Sequence, residues 1–140
     1  MGLIDKMKNR IKIKKILKLQ GKSNFFESVG HALDGIEYTI NHERNFKIEV
    51  IFAILVSIMG FILKVNIIEW LILVLAIAIV LTLELVNTSI ERTVDLVTKD
   101  YKELAKIAKD VSASAVLIMS LFSIIIGIII FLPKIIALIK

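Results

Sequence analysis

Hydrophobic residues recur at helical spacing from position 24 onward. Phe25, Phe26, Val29, Ala32, Leu33, Ile36 and Ile40 fall within about 100° of one another on a helical projection. Glu27, His31, Asp34, Tyr38 and Asn41 take the opposite face. The pattern predicts an amphipathic helix over residues 24–42 lying in a membrane interface, with the two phenylalanines as anchors. Asn24 and Glu27 have the spacing of a capping box at its start.

Three longer apolar runs follow. The first covers residues 46–64, but its uninterrupted part, 50–63, reaches only about 21 Å, so a full crossing requires the helix to start near Phe46. Lys64-Val65-Asn66 reads as a short turn, and Trp70 is an interfacial aromatic at the opening of the second run, 68–90. No Gly or Pro stops that helix, which is expected to continue beyond the bilayer toward Lys99. The third run, 112–132, is interrupted only by serines and Gly127, is about 30 Å long, and is expected to end at Pro133. The predicted fold is an all-α membrane protein: one surface helix and three transmembrane helices.

Composition agrees with a lipid environment. Of 140 residues, 57% are hydrophobic, more than a single small core can hide from water. There is room for one domain, residues 24–140, preceded by a basic arm, residues 1–23. The arm holds Lys6, Lys8, Arg10, Lys12, Lys14, Lys15, Lys18 and Lys22 against Asp5 alone. It lacks the apolar core of a signal peptide, and Lys6 stands where a myristoylation signal wants Ser or Thr, so the first residues are expected to be retained. The net charge of +5 collects beside the apolar runs, where anionic lipid headgroups explain it better than nucleic acid does. Lys and Arg number ten in residues 1–47 and five in 91–110, whereas the opposite side holds Lys64, Lys134 and Lys140. The N-terminus and the second connection are therefore expected on the cytoplasmic side. The chain has no cysteine, which excludes disulfides, thiolate metal sites and a cysteine nucleophile.

Glu84, Asn87, Glu91 and Asp95 follow at spacings of three, four and four and share one helix face. The stripe begins inside a span, where an ionised carboxylate costs several kcal/mol unless compensated, which points to a metal or proton site. A structural hydrogen bond from Glu84 to a neighbouring Ser or Asn is the plainer alternative. Carboxylates without cysteine, and with only His31 and His42, suit a hard cation such as Mg²⁺ better than zinc. Glu43 and Glu49, with Lys109-Asp110, could complete such a site from other helices. Gly21-Lys22-Ser23 mimics the tail of a P-loop, but Ile16 stands where the motif requires glycine.

The segment Glu84-Leu85-Val86-Asn87-Thr88-Ser89-Ile90-Glu91-Arg92-Thr93-Val94-Asp95, followed by Ala108-Lys109-Asp110-Val111-Ser112-Ala113, resembles the signature of the prokaryotic diacylglycerol kinase and undecaprenol kinase family, E-x-x-N-[ST]-[AS]-I-E-x-x-V-D and then A-K-D. Asn41-His42-Glu43-Arg44-Asn45-Phe46-Lys47-Ile48-Glu49 is similar to the family's first acidic motif. The resemblance covers about residues 24–132. It implies a homotrimer with active sites between subunits at the cytoplasmic membrane surface. It further implies Glu84 as the base for a lipid hydroxyl, Asn87 and Asp95 as supporting polar groups, and Glu43 and Glu91 as Mg²⁺ ligands. Lys109 and Asp110 would contact ATP, with Asp100, Tyr101 and Lys102 as further candidates. His31 stands where some members have tyrosine.

The expected activity is ATP- and Mg²⁺-dependent phosphorylation of a membrane lipid alcohol. Undecaprenol is favoured over diacylglycerol because the basic arm and the Glu43-Arg44-Asn45 motif look closer to the undecaprenol branch. A small transporter or channel subunit using Glu84 as an ion relay is the competing reading.

Overall fold

The computed structural model describes residues 25–139. The basic arm, the Gly21-Lys22-Ser23 segment and Asn24 of the expected capping box lie outside them. The described residues form four helices: α1 (Phe25–His42), α2 (Arg44–Ile62), α3 (Ile67–Val97) and α4 (Glu103–Ile139). Among the described residues there is no strand, and α2, α3 and α4 are each long and apolar enough to cross a membrane. The architecture is the all-α one that the hydrophobic pattern predicts.

The chain divides into two units after Glu37. In the first, residues 25–37 present the predicted apolar face openly, Phe26 being 83% exposed. Exposed aromatics in this number on an amphipathic helix suit a lipid interface.

In the second unit, a single extended residue, Glu43 (φ −104°, ψ 118°), separates α1 from α2. Glu43 occupies the N-cap of α2 without making a side-chain cap, which leaves its carboxylate available to another helix. Because α2 begins at Arg44, its 19 residues reach about 28 Å, close to the thickness of a hydrocarbon core. Phe46, just inside that start, is buried.

A Schellman-type turn ends α2. Val65 N–H bonds the Gly60 carbonyl (3.1 Å), Lys64 N–H bonds that of Phe61 (3.3 Å), and Lys64 takes the left-handed conformation at φ 51°. Asn66 then starts α3 with a capping box. Its side chain accepts from the N–H groups of Ile68 and Glu69 (2.9 and 3.0 Å), and Glu69 Oε2 accepts from Asn66 N–H (2.6 Å). Around this corner Val65, Leu73, Ile130 and Phe131 form a small core flanked by Trp70. Gly60 permits the close approach of Trp70, whose Cη2 would lie 2.8 Å from any β-carbon there.

α3 runs 31 residues to Val97, near the expected limit at Lys99, and packs chiefly against α4. The connection is short and tied by Thr98 Oγ1, which accepts from Asp100 N–H (3.1 Å). Two features of α4 differ from expectation. It starts at Glu103, nine residues before the expected span, where alanines and the Lys106–Asp110 ion pair one turn apart favour helix. It also continues through Pro133 to Ile139 instead of ending there. The proline removes one backbone donor, but the next residue, Lys134, is anchored to Glu69 on α3 (2.9 Å) and carries the helix onward.

Candidate active site

A cleft of about 340 Å³ opens among α2, α3 and α4. Asn45, Ile48 and Glu49 line it from α2, Glu84, Asn87 and Glu91 from α3, and Ala113, Val116, Leu117 and Ser120 from α4. Helical spacing puts Glu84, Asn87 and Glu91 on one wall, as the stripe requires. Glu84 is 3% exposed and Asn87 is likewise buried.

Asn87 is the hub of a polar chain. Ser112 Oγ donates to Asn87 Oδ1 (2.6 Å), with the Lys109 carbonyl 2.9 Å away, and Asn87 Nδ2 donates to Glu91 Oε1 (3.2 Å). The amide is thereby oriented from α4 and in turn orients the Glu91 carboxylate. Lys109 continues the chain through its side chain, donating from Nζ to Asp95 Oδ1 (2.6 Å).

Asp95 lies beyond the first cleft. With Asp100, Tyr101, Lys102, Lys109 and Asp110 it lines a second cleft, of about 360 Å³, at the α3–α4 connection. The residues that the sequence groups as supporting polar groups are therefore divided, Asn87 to the first cleft and Asp95 to the second. The five candidates for nucleotide contact are brought together. Lys109 and Asp110 are each charge-paired there, with Asp95 and Lys106.

Glu43 is held outside the lining of either cleft. Its carboxylate is ion-paired with Arg92, which also lies over the Tyr38 ring, 5.7 Å from the centroid. Glu84 is nevertheless within electrostatic reach of both Glu91 and Glu43, and Glu49 of Glu84. Like charges so arranged attract a cation. The donors are hard carboxylate oxygens, and Glu49 Oε2 is enclosed without a hydrogen-bond partner, so the set fits a divalent cation of the Mg²⁺ type. Among the described residues no three acidic or histidine side chains converge on a common point.

Sequence reasoning missed Ser112 and Arg92 as site residues. Both stand inside the quoted motifs, but Ser112 reads there as one of several small residues and Arg92 falls at an unspecified position. His31 pairs loosely with Asp34 (3.9 Å) within α1 and is exposed.

Comparison with known proteins agrees with the geometry. The chain is 48% identical over 112 residues to an undecaprenol kinase of Bacillus subtilis, covering 80% of this chain and 91% of that one. It is 37% identical to a diacylglycerol kinase of Synechocystis over 82% of this chain and 66% of the relative. A diacylglycerol kinase of Helicobacter pylori is 32% identical over 75% of this chain and 82% of its own length. The prokaryotic diacylglycerol kinase family matches residues 30–131, which hold every candidate site residue named above, and the chain belongs to that family.

Proposed function

We propose that this lipid kinase transfers the γ-phosphoryl group of ATP, with Mg²⁺, to the hydroxyl of undecaprenol. The observation that carries the reading is Glu84, a buried carboxylate in a helix long and apolar enough to span a membrane, lining an open cleft beside Asn87 and Glu91. A lipid alcohol stays in the bilayer while a nucleotide stays in water, so the base must sit where both can reach. Glu84 and Glu91, seven residues apart, are about 10 Å apart along α3, and one helix thus presents a carboxylate to each phase.

In this mechanism Glu84 accepts the hydroxyl proton as the lipid oxygen attacks the γ-phosphorus, and the bond to the leaving ADP breaks with its electron pair on ADP. Ser112 and Asn87 hold Glu91 in position. Glu91 and Glu43 would hold the metal, which supplies charge neutralisation on the phosphates. The second cleft, with Lys109, Asp110, Asp100, Tyr101 and Lys102, takes the nucleotide. Ile48, Val116 and Leu117 give the first cleft an apolar wall for the lipid chain.

The greater identity to the undecaprenol kinase, 48% against 37% and 32% for the two diacylglycerol kinases, supports undecaprenol as acceptor. The positive charge of the arm and the 91–110 connection supports a cytoplasmic site and contact with anionic headgroups. The many apolar side chains left open on α2–α4 are consistent with a homotrimer in lipid. Offering each lipid with labelled ATP in mixed micelles tests the acceptor. Faster turnover of undecaprenol is expected, and equal or greater turnover of diacylglycerol would overturn the assignment.

A further inference from the structure

Glu49, Glu84 and Glu91 line the first cleft, and Glu84 lies within electrostatic reach of both of the others and of Glu43, outside the lining. Of the ion pairs among the described residues, Arg92–Glu43 is the one that involves any of the four. Arg92 projects from the helix turn that carries Glu91, and its partner Glu43 sits at the extended joint between α1 and α2. The Arg92 side chain is about half exposed, and its guanidinium also rests over Tyr38. Tyr38 in turn stacks on His42 (ring centroids 4.2 Å apart, 17° between planes), and the His42 ring is fixed by a 2.8 Å hydrogen bond between Nδ1 and the Tyr38 carbonyl.

A planar guanidinium matches carboxylate and phosphate oxygens equally well, and an aromatic face can hold it while it changes from one to the other. We propose that Arg92 is a cation that competes with metal for Glu43: it neutralises that carboxylate unless a divalent cation takes it, and the freed guanidinium then pairs with a nucleotide phosphate. The proposal rests on the kinase reading above. It assigns a role to a position that the family signature leaves unspecified. Two consequences follow from one side chain, since Arg92 competes with metal for Glu43 and contributes to binding of the metal–nucleotide pair.

The test uses the full chain in detergent, with Mn²⁺ alone followed by electron paramagnetic resonance and a non-hydrolysable MgATP analogue followed by calorimetry. Arg92→Ala should bind Mn²⁺ alone about tenfold more tightly and the nucleotide analogue about tenfold more weakly. Arg92→Gln, which keeps more of the side chain's bulk, should show the same opposed shifts and stands in if the alanine variant fails to fold. Unchanged or weaker Mn²⁺ binding overturns the proposal, because a merely structural clamp would leave Glu43 no better disposed to metal. Unchanged nucleotide binding overturns it equally. Glu43→Gln separates this from the reading beneath it: if that variant keeps wild-type Mn²⁺ affinity, Glu43 is no metal ligand and the site assignment itself fails. If Glu43→Gln loses Mn²⁺ while Arg92→Ala gains none, the role of Arg92 alone fails.

Discussion

Ser112 on α4 donates a 2.6 Å hydrogen bond to Asn87 Oδ1 on α3, and both side chains are buried. The bond crosses the two helices that pack most extensively, and it fixes the amide that holds Glu91. Removing the serine hydroxyl leaves a buried acceptor without its donor, which costs about 1–3 kcal/mol. Ser112→Ala is therefore expected to lower the detergent unfolding midpoint and to reduce kcat about tenfold, since Glu91 loses its fixed orientation. Steady-state kinetics and unfolding on the same preparation check both effects.

The corner between α2 and α3 yields two changes of opposite sign. Lys64 occupies a left-handed conformation (φ 51°) that glycine adopts without a Cβ penalty. Lys64→Gly should stabilise the fold by roughly 0.5–1 kcal/mol, with part of the gain offset by the greater freedom of glycine in the unfolded chain. Asn66→Ala should destabilise it by about 1 kcal/mol, because the capping box loses its acceptor. Unfolding in mixed micelles measures both, and neither residue lines a cleft, so kcat should be unaffected.

Gly60 faces the indole of Trp70, and a β-carbon there would meet ring atoms at 2.8 and 2.9 Å. The ring is itself packed against Phe61, 4.8 Å between centroids, and flanks the small core, so it cannot swing away without disturbing its neighbours. Gly60→Ala should cost about 1–3 kcal/mol and shift the fluorescence of Trp70, the single tryptophan. Trp70→Phe in the same chain should recover part of the loss.

The helices and the Glu84 stripe were legible in the sequence because lipid leaves a strong, periodic signal: long apolar runs, and polar residues rare enough to be noticed. The grouping of Asp100, Tyr101, Lys102, Lys109 and Asp110 around one cleft was legible only through the family resemblance. What escaped was decided by contacts between distant residues. Pro133 would end a helix on propensity alone, but the Lys134–Glu69 pair lies 65 positions apart and no local pattern announces it. Ser112 is one serine among several until α3 supplies Asn87. Arg92 looks like a solvated charge until the extended joint at Glu43 turns a carboxylate toward it. The Lys64-Val65-Asn66 turn, by contrast, was legible, although the capping box that Asn66 forms with Glu69 was not read from it.

Glu84 is the group proposed to take the proton from the lipid hydroxyl. Glu84→Gln keeps the size of the side chain and removes its basicity, so transfer of labelled phosphate from ATP to undecaprenol should fall by at least about a hundredfold. Binding of a non-hydrolysable MgATP analogue should stay close to wild type, whereas Glu91→Gln should weaken it. Wild-type phosphoryl transfer by Glu84→Gln would show that Glu84 is not the base.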